Sequence, residues 1–367
     1  MAQLIADASP HTPRKPAHDT EIIILTSGSS GTPRGAARAG STSRMMSTFA
    51  GFLQKVPLTR GDVIYLAPPA FHGWGLICTL SGLLLGATLV FDGRFRAERA
   101  VVSMHAHGAT VLVAVPTMLR RLTALPDDQL TPLAGWLRII GSGGARLAPE
   151  LVVDVQNRFG RVLHNLYGAT EVSYITIATP EDLADDPTCA GSAPLGVTVA
   201  IITDGRPAAP GEVGEICVRT GAQMKSYTDG STKESVNGLV RTGDTGYLDE
   251  RGRLFIRGRA DGMIVSGGEN VFPEDVELTL ARHPKVNDAV VFTVADKDFG
   301  ERISAVVAVD DESLVSTADL KDFVATELSR SCVPRDIHLV PDIPRTATGK
   351  VTRAVLQVML EEFPGAP

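Results

Sequence analysis

Two textures of apolar residues alternate through the first half of this 367-residue chain. Short unbroken apolar runs, rich in Val, Ile and Leu, occur at 21–26 (EIIILT), 63–67, 109–115 (ATVLVAV), 137–140 and 162–166. Runs of this length, bounded by polar or glycine-rich stretches, read as strands buried on both faces. Between them, at 42–55, 97–106 and 117–124, the pattern is that of amphipathic helices. Strands separated by helices of this length predict βαβ units and a mostly parallel sheet. Residues 73–91 carry no charge and are long enough to cross a bilayer. Their glycine, serine and threonine content, and the return of charge at Asp92 and Arg94, favour a buried helix running into a buried strand.

Beyond residue 195 the pattern changes. VTVAIIT, GEICVRT and GYLDERGRLFIRG are short strands, and DG and RG stand at turn positions, which predicts antiparallel hairpins. From about residue 259 the chain reads as a strand or turn, a helix at 273–283, strands at 289–294 and 304–309, a helix at 318–329, and a final strand and helix. The predicted fold class is α/β. A large N-terminal domain combines a mostly parallel sheet and its helices with a small antiparallel β subdomain, and a small α+β C-terminal domain follows. The expected boundaries are a flexible tail at 1–19, the large domain at 20–258, and a mobile small domain at 259–367.

Composition removes several function classes. With 35 Lys and Arg against 42 Asp and Glu the net charge is −7, so the basic footprint of a nucleic-acid binder is missing. The four cysteines, Cys78, Cys189, Cys217 and Cys332, are scattered without a CxxC pair, which supports neither a disulfide framework nor a cysteine-based zinc site and suits a reducing cytoplasm. The first twenty residues contain no apolar core of a secretory signal.

Five segments carry candidate chemistry. TSGSSGTPRG at 26–35 follows a strand; its glycines let backbone N–H groups converge on an anion, its hydroxyls add donors, and Arg34 adds a fixed charge suited to phosphate. It lacks the GK[ST] ending of an ordinary P-loop. YGATE at 167–171 offers an aromatic face for a base, and a hydroxyl beside a carboxylate for Mg²⁺. RTGDTGY at 241–247, followed by Gly258-Arg259-Ala260-Asp261, places carboxylates where ribose hydroxyls could be accepted, or forms a charged hairpin. SGGENVFP at 266–273 allows close backbone approach and can also cap the helix that Pro273 begins. PRTATGK at 344–350 ends on Lys350 in a Gly/Thr setting.

Taken in order and at this spacing, these segments resemble the adenylate-forming superfamily of acyl-CoA synthetases, nonribosomal adenylation domains and luciferases, over about residues 21–356. SGGENVFPEDVE is most similar to the acyl-CoA synthetase form. The resemblance implies an ATP-dependent acid–thiol ligase that makes an acyl-adenylate and pyrophosphate, then passes the acyl group to coenzyme A. Delivery to a carrier protein and a nucleotide-binding remnant are the alternatives. It implies that Thr26, Ser27, Gly28, Ser29, Ser30, Gly31, Thr32 and Arg34 hold the ATP phosphates, and that Gly143, Gly144 and Ala145 line the acyl and adenine pockets. Tyr167 and Gly168 would lie against adenine, Thr170 and Glu171 would organise Mg²⁺, and Asp244 with Arg259 would hold the ribose. His72, in PPAFHGWG, would stand beside the acyl carboxylate, with Trp74 nearby pointing to an aryl or medium-size acid. Lys350 would bridge carboxylate and α-phosphate. Asp261 would be the hinge, and Gly267, Gly268 and Glu269 the thioester-forming loop.

Three departures from the family pattern stand out. Arg34 replaces a lysine, Cys332 stands where lysine is common, and the phosphate loop starts at Thr26 where family members usually carry well over a hundred preceding residues. The last of these predicts exposed apolar surface or a free strand edge; a short enzyme whose homodimer buries it is the favoured expectation, with a gene fragment or a chain completed by a partner as the alternatives.

Overall fold

The computed structural model describes residues 21–26, 34–39, 42–133, 135–259, 264–266, 269–296, 300–311, 315–345 and 351. The expected tail at 1–19 and the last helix lie outside these residues.

Among the described residues the large domain is built on a six-stranded sheet. Its order is Thr88–Phe91, Val63–Leu66, Val111–Ala114, Ile139–Gly143, Leu163–Ala169 and Ser173–Ala178. The first five strands run parallel and the last returns antiparallel. Val111–Ala114 and Ile139–Gly143 are buried along their whole length, as central parallel strands should be. Helices Gly73–Leu85, Ala97–His107, Pro116–Thr123 and Pro149–Phe159 connect the strands. One core runs from Phe52 through Ile64, Leu112 and Ile140 to Leu163 and Leu183.

At the N-terminal edge of this core, Asp62 is 3 % exposed and ties together three segments. It accepts hydrogen bonds from the Thr59 backbone N–H at 2.7 Å, the Thr110 hydroxyl at 2.8 Å and Arg138 Nε at 2.7 Å. Burial by itself would raise this carboxyl, but the hydrogen bonds from Arg138, Thr59 and Thr110 hold it below its ordinary value.

The antiparallel subdomain follows as expected. Val197–Thr203 pairs with Gly214–Thr220, which pairs with Leu239–Leu248, which pairs with Leu254–Arg259. The DG turn uses Asp204 and Gly205 at φ 50° and 76°. The small domain joins Asp288–Asp296 antiparallel to Gly300–Ala308 and the latter parallel to Asp336–Val340. Helices Pro273–Ala281 and Thr317–Glu327 cover it, and the second is closed by a Ser316–Asp319 capping box. Its apolar cores, around Val276, Val291 and Val307 and around Val290, Val306 and Ile343, are separate from those of the large domain.

Three expectations need correction. Glu21–Thr26 is a strand, but not a buried strand of the main sheet: it pairs antiparallel with Arg34–Ala39, and Ile23 is 53 % exposed while Ile24 is buried. RGAARA at 34–39 carries no β-branched residue, so the partner that makes this a hairpin left no pattern. The uncharged stretch 73–91 forms the helix and strand expected of it, but neither is fully buried: Leu83, Leu84 and Phe91 are exposed, beside the sheet's edge strand Thr88–Phe91. Among the described residues, no helix is long and apolar enough to cross a membrane. Finally, the strand expected at 162–166 does not end there but runs on through Tyr167, Gly168 and Ala169.

Candidate active site

Asp244 is the point where separate motifs meet. It lies in strand Leu239–Leu248 directly across from Arg259, whose Nη1 stands 3.5 Å from Asp244 Oδ1. From the main sheet, the Tyr167 hydroxyl donates to Asp244 Oδ2 at 2.5 Å. Burial first, and then the charge of Asp244, push the Tyr167 phenol far above its ordinary value, so it remains a donor at neutral pH. Gly243 has φ +83°, a left-handed conformation that favours glycine, and a Cβ there would stand 3.2 Å from the Arg259 guanidinium. Two oxygens of an ionised carboxylate offer about four acceptor directions. The Tyr167 hydroxyl bonds one oxygen and Arg259 stands beside the other.

Glu171 sits where the main sheet turns back between Ala169 and Ser173. Its Oε1 accepts from the Tyr227 hydroxyl at 2.5 Å, and its carbonyl accepts from the Met224 N–H at 2.6 Å. Tyr227 belongs to the two-residue strand Ser226–Tyr227, which pairs with Ala36 and Ala37 of the N-terminal hairpin. The Gly35 N–H also donates to the Thr228 hydroxyl at 3.2 Å. The hairpin register pairs Thr26 with Arg34, so the glycine- and serine-rich segment 27–33 links two strands fastened to Glu171 through Tyr227.

His72 precedes helix Gly73–Leu85 and lies against the glycine loop, 3.6 Å from where a Cβ of Gly144 would be. Trp74 does not line open space: it is 5 % exposed, donates from Nε1 to the Ala114 carbonyl at 2.9 Å, and lies on Gly141 and Gly143. A Cβ at either glycine would meet the indole at 3.0–3.2 Å, so the strand gives up two side chains to seat one ring. Just past Ala145, Arg146 Nη2 pairs with Asp275 of the small domain at 3.1 Å.

The structure therefore brings Tyr167 together with Asp244 and Arg259, Glu171 with the N-terminal hairpin through Tyr227, and His72 with Gly144. Ser27, Gly28, Ser29, Ser30, Gly31, Thr32, Asp261, Gly267, Gly268 and Lys350 lie outside the described residues. Thr26, Arg34 and Glu269 are described as strand positions.

Three residues escaped the sequence reading. Tyr227 had no motif around it. Ser142 and Asn165 occupy paired register positions on neighbouring strands, and their buried Oγ and Oδ1 have no hydrogen-bond partner among the described residues. A polar residue at an inward position of an apolar strand (VLHNL) was the available signal for Asn165.

The AMP-binding enzyme family matches residues 2–228, and the AMP-binding enzyme C-terminal domain matches residues 275–350. The chain belongs to this family. It is 32 % identical over 339 residues to a 2-succinylbenzoate–CoA ligase of Bacillus licheniformis, an alignment covering 91 % of this chain and 69 % of the relative. It is also 32 % identical over 371 residues to the fatty acid–[acyl-carrier-protein] ligase ScoC of Streptomyces coeruleorubidus, covering 97 % and 70 %. Among solved structures, ATP-bound MatB from Rhodopseudomonas palustris matches with a TM-score of 0.85 at 27 % identity, over 98 % of this chain and 72 % of that one. The fold of the AMP-binding enzymes, a large α/β domain followed by a small α+β domain, is thus the fold of this chain.

Proposed function

We propose that this chain is an ATP-dependent acid–thiol ligase that adenylates a carboxylic acid and passes the acyl group to coenzyme A in the cytoplasm; Trp74, packed on Gly141 and Gly143, no longer speaks for an aryl or medium-size acid. The observation that carries this reading is the bracketing of Asp244 by Tyr167 and Arg259, contributed by the main sheet and the antiparallel subdomain, in a chain of the AMP-binding enzyme family. Asp244 accepts the ribose hydroxyls. The segment from Thr26 to Arg34 takes the phosphates, and Tyr167 and Gly168 with Gly143, Gly144 and Ala145 flank the base.

Among the described residues no three His, Cys, Asp or Glu converge as a metal cage. Thr170 and Glu171 supply hard oxygens, which suits a cation that arrives on phosphate oxygens and keeps most of its other ligands. When bound, Mg²⁺ screens the polyphosphate charge against the incoming carboxylate. His72 and Asn165 meet the acid. Lys350 neutralises the negative charge that gathers as the carboxylate attacks the α-phosphorus and pyrophosphate leaves. Asp261 serves as the hinge between domains at 20–258 and 259–367, whose rotation brings Gly267, Gly268 and Glu269 to the site for thiol attack. A homodimer covers the apolar surface around Leu83, Leu84 and Phe91. A carrier protein as acceptor is the second reading, favoured by the similarity to ScoC over nearly the whole chain.

The test is pyrophosphate release from ATP–Mg²⁺ with a panel of aryl, short, medium and long-chain acids, with coenzyme A, with a phosphopantetheinylated carrier protein, and with neither. Acid-dependent release and an acyl-CoA product are expected, falling about 100-fold or more in Lys350→Ala. Acyl transfer to the carrier alone would select the second reading. ATP binding without acid-dependent release would overturn both.

A further inference from the structure

Glu171 stands on a turn whose backbone is fastened from several sides. Ala169 pairs with Ser173 across it, and the Val172 N–H donates back to the Ala169 carbonyl at 3.1 Å. The Glu171 carbonyl accepts from the Met224 N–H at 2.6 Å, and the Val172 carbonyl accepts from the Thr220 hydroxyl at 2.7 Å. Ser173 closes the turn at φ 72°, a left-handed conformation that a serine holds only where its surroundings enforce it. What the backbone leaves undetermined is the direction of the Glu171 carboxylate, which sits at the end of a flexible side chain that is costly to order.

Tyr227 supplies that order. Its hydroxyl donates to Glu171 Oε1 at 2.5 Å, the short contact expected between a hydroxyl and an ionised carboxylate. Among the described residues Oε2 has no hydrogen-bond or ion-pair partner. The tyrosine itself is placed by main-chain bonds. Ser226 and Tyr227 pair with Ala37 and Ala36 of the N-terminal hairpin, the Lys225 N–H donates to the Ala37 carbonyl at 2.9 Å, and the Thr228 N–H donates to the Gly35 carbonyl at 2.8 Å. In the turn that follows, the Tyr227 N–H donates to the Ser231 carbonyl at 2.8 Å and the Tyr227 carbonyl accepts from the Gly230 N–H at 3.0 Å. None of these bonds uses the hydroxyl, so its removal leaves the strand and the turn with all of them.

We propose that Tyr227 is a positioning residue for Glu171: it clamps Oε1, so that the other oxygen is presented in one direction to the divalent cation that arrives on the ATP phosphates. Tyr227 acts through Glu171 and touches neither the cation nor a reactant. The inference rests on the reading of Glu171 given above and adds what that reading lacks, a means of aiming the carboxylate. A cation held by one or two carboxylates beside its phosphate and water ligands demands near-ideal geometry from each of them. Hydrogen-bond partners of ligating side chains set that geometry, and their loss typically weakens metal binding about 10–100-fold.

The experiment is calorimetric titration of the full chain with ATP, once with Mg²⁺ in excess and once with EDTA, with no acid present. The ratio of the two affinities reads the share of binding that depends on the cation, without any turnover. In Tyr227→Phe this ratio should fall about tenfold, while the affinity in EDTA stays within about twofold of the parent chain's. A tyrosine needed only to complete the sheet would weaken both affinities together; that outcome, like an unchanged ratio, overturns the proposal. In a Glu171→Gln chain the ratio should already be low, and adding Tyr227→Phe should lower it less than about twofold further. A full second loss would mean that the hydroxyl acts on something other than Glu171, and would reject the role. Glu171→Ala keeps the two readings apart. If the parent's ratio survives that change, Glu171 does not serve the cation, and the reading above fails together with the proposal. A collapsed ratio there, beside a silent Tyr227→Phe, rejects the positioning role alone.

Discussion

Asp244 shows how much a single carboxylate can hold. It is paired on one oxygen and hydrogen-bonded on the other, and it follows a glycine at 243 held at φ +83°. Asp244→Asn keeps the shape and removes the charge and one acceptor. Charge-assisted hydrogen bonds contribute about 1.5–3 kcal/mol each, so ATP affinity should fall roughly tenfold or more, as read by calorimetric titration with ATP–Mg²⁺. An unchanged affinity would mean that the ribose is held elsewhere. Tyr167, Asp244 and Arg259 were legible in the sequence because each stands in a short motif of turn-forming and polar residues. Tyr227 was not, because its importance comes entirely from reaching Glu171, 56 positions earlier, through a strand of two residues. Asn165 was half legible: its polarity inside VLHNL was visible, but that its buried Oδ1 has no partner among the described residues is a property of three-dimensional packing.

Elements were legible where local pattern and burial agree. Helix Thr42–Lys55 and strands Val63–Leu66 and Val111–Ala114 follow directly from apolar period, since both faces of a central parallel strand need the same residue types. The N-terminal hairpin was misread because its second strand is built from Arg, Gly and Ala. The knot at Asp62 belongs to this scale too, since it fastens the start of one strand to the turns before two others. Asp62→Ala leaves the Thr59 and Thr110 donors without their acceptor, whereas Arg138, 37 % exposed, can turn to water. The unfolding free energy from urea titration should therefore fall by about 1–3 kcal/mol, without changing which residues line the site. Because the folded carboxyl titrates below its ordinary value of 3.8, the stabilisation by Asp62 is fully present above that pH and is lost as pH falls through the lowered value. Unfolding curves of the parent chain and the variant should converge in acid.

At the scale of the whole molecule, Leu80, Leu83 and Leu84 line one face of helix Gly73–Leu85 and Phe91 closes the neighbouring edge strand, all of them exposed. A dimer through this face predicts about twice the 38.8 kDa chain mass in light scattering at micromolar concentration. Leu84→Arg should shift the mass toward the monomer while leaving adenylation intact; a parent chain already monomeric would refute the dimer. The three-stranded sheet around the proposed phosphate segment has a different reach, because its third strand comes from Ser226–Tyr227 and the Thr228–Gly35 hydrogen bond spans 193 positions. Contacts this distant in sequence close late, after the entropy of a long loop has been spent. On the ribosome, the proposed phosphate segment must wait for residues 226–228 before its sheet can be completed. ATP should then act during refolding as a trap for the finished site rather than as its template, accelerating neither collapse nor the main sheet and stabilising only the last step.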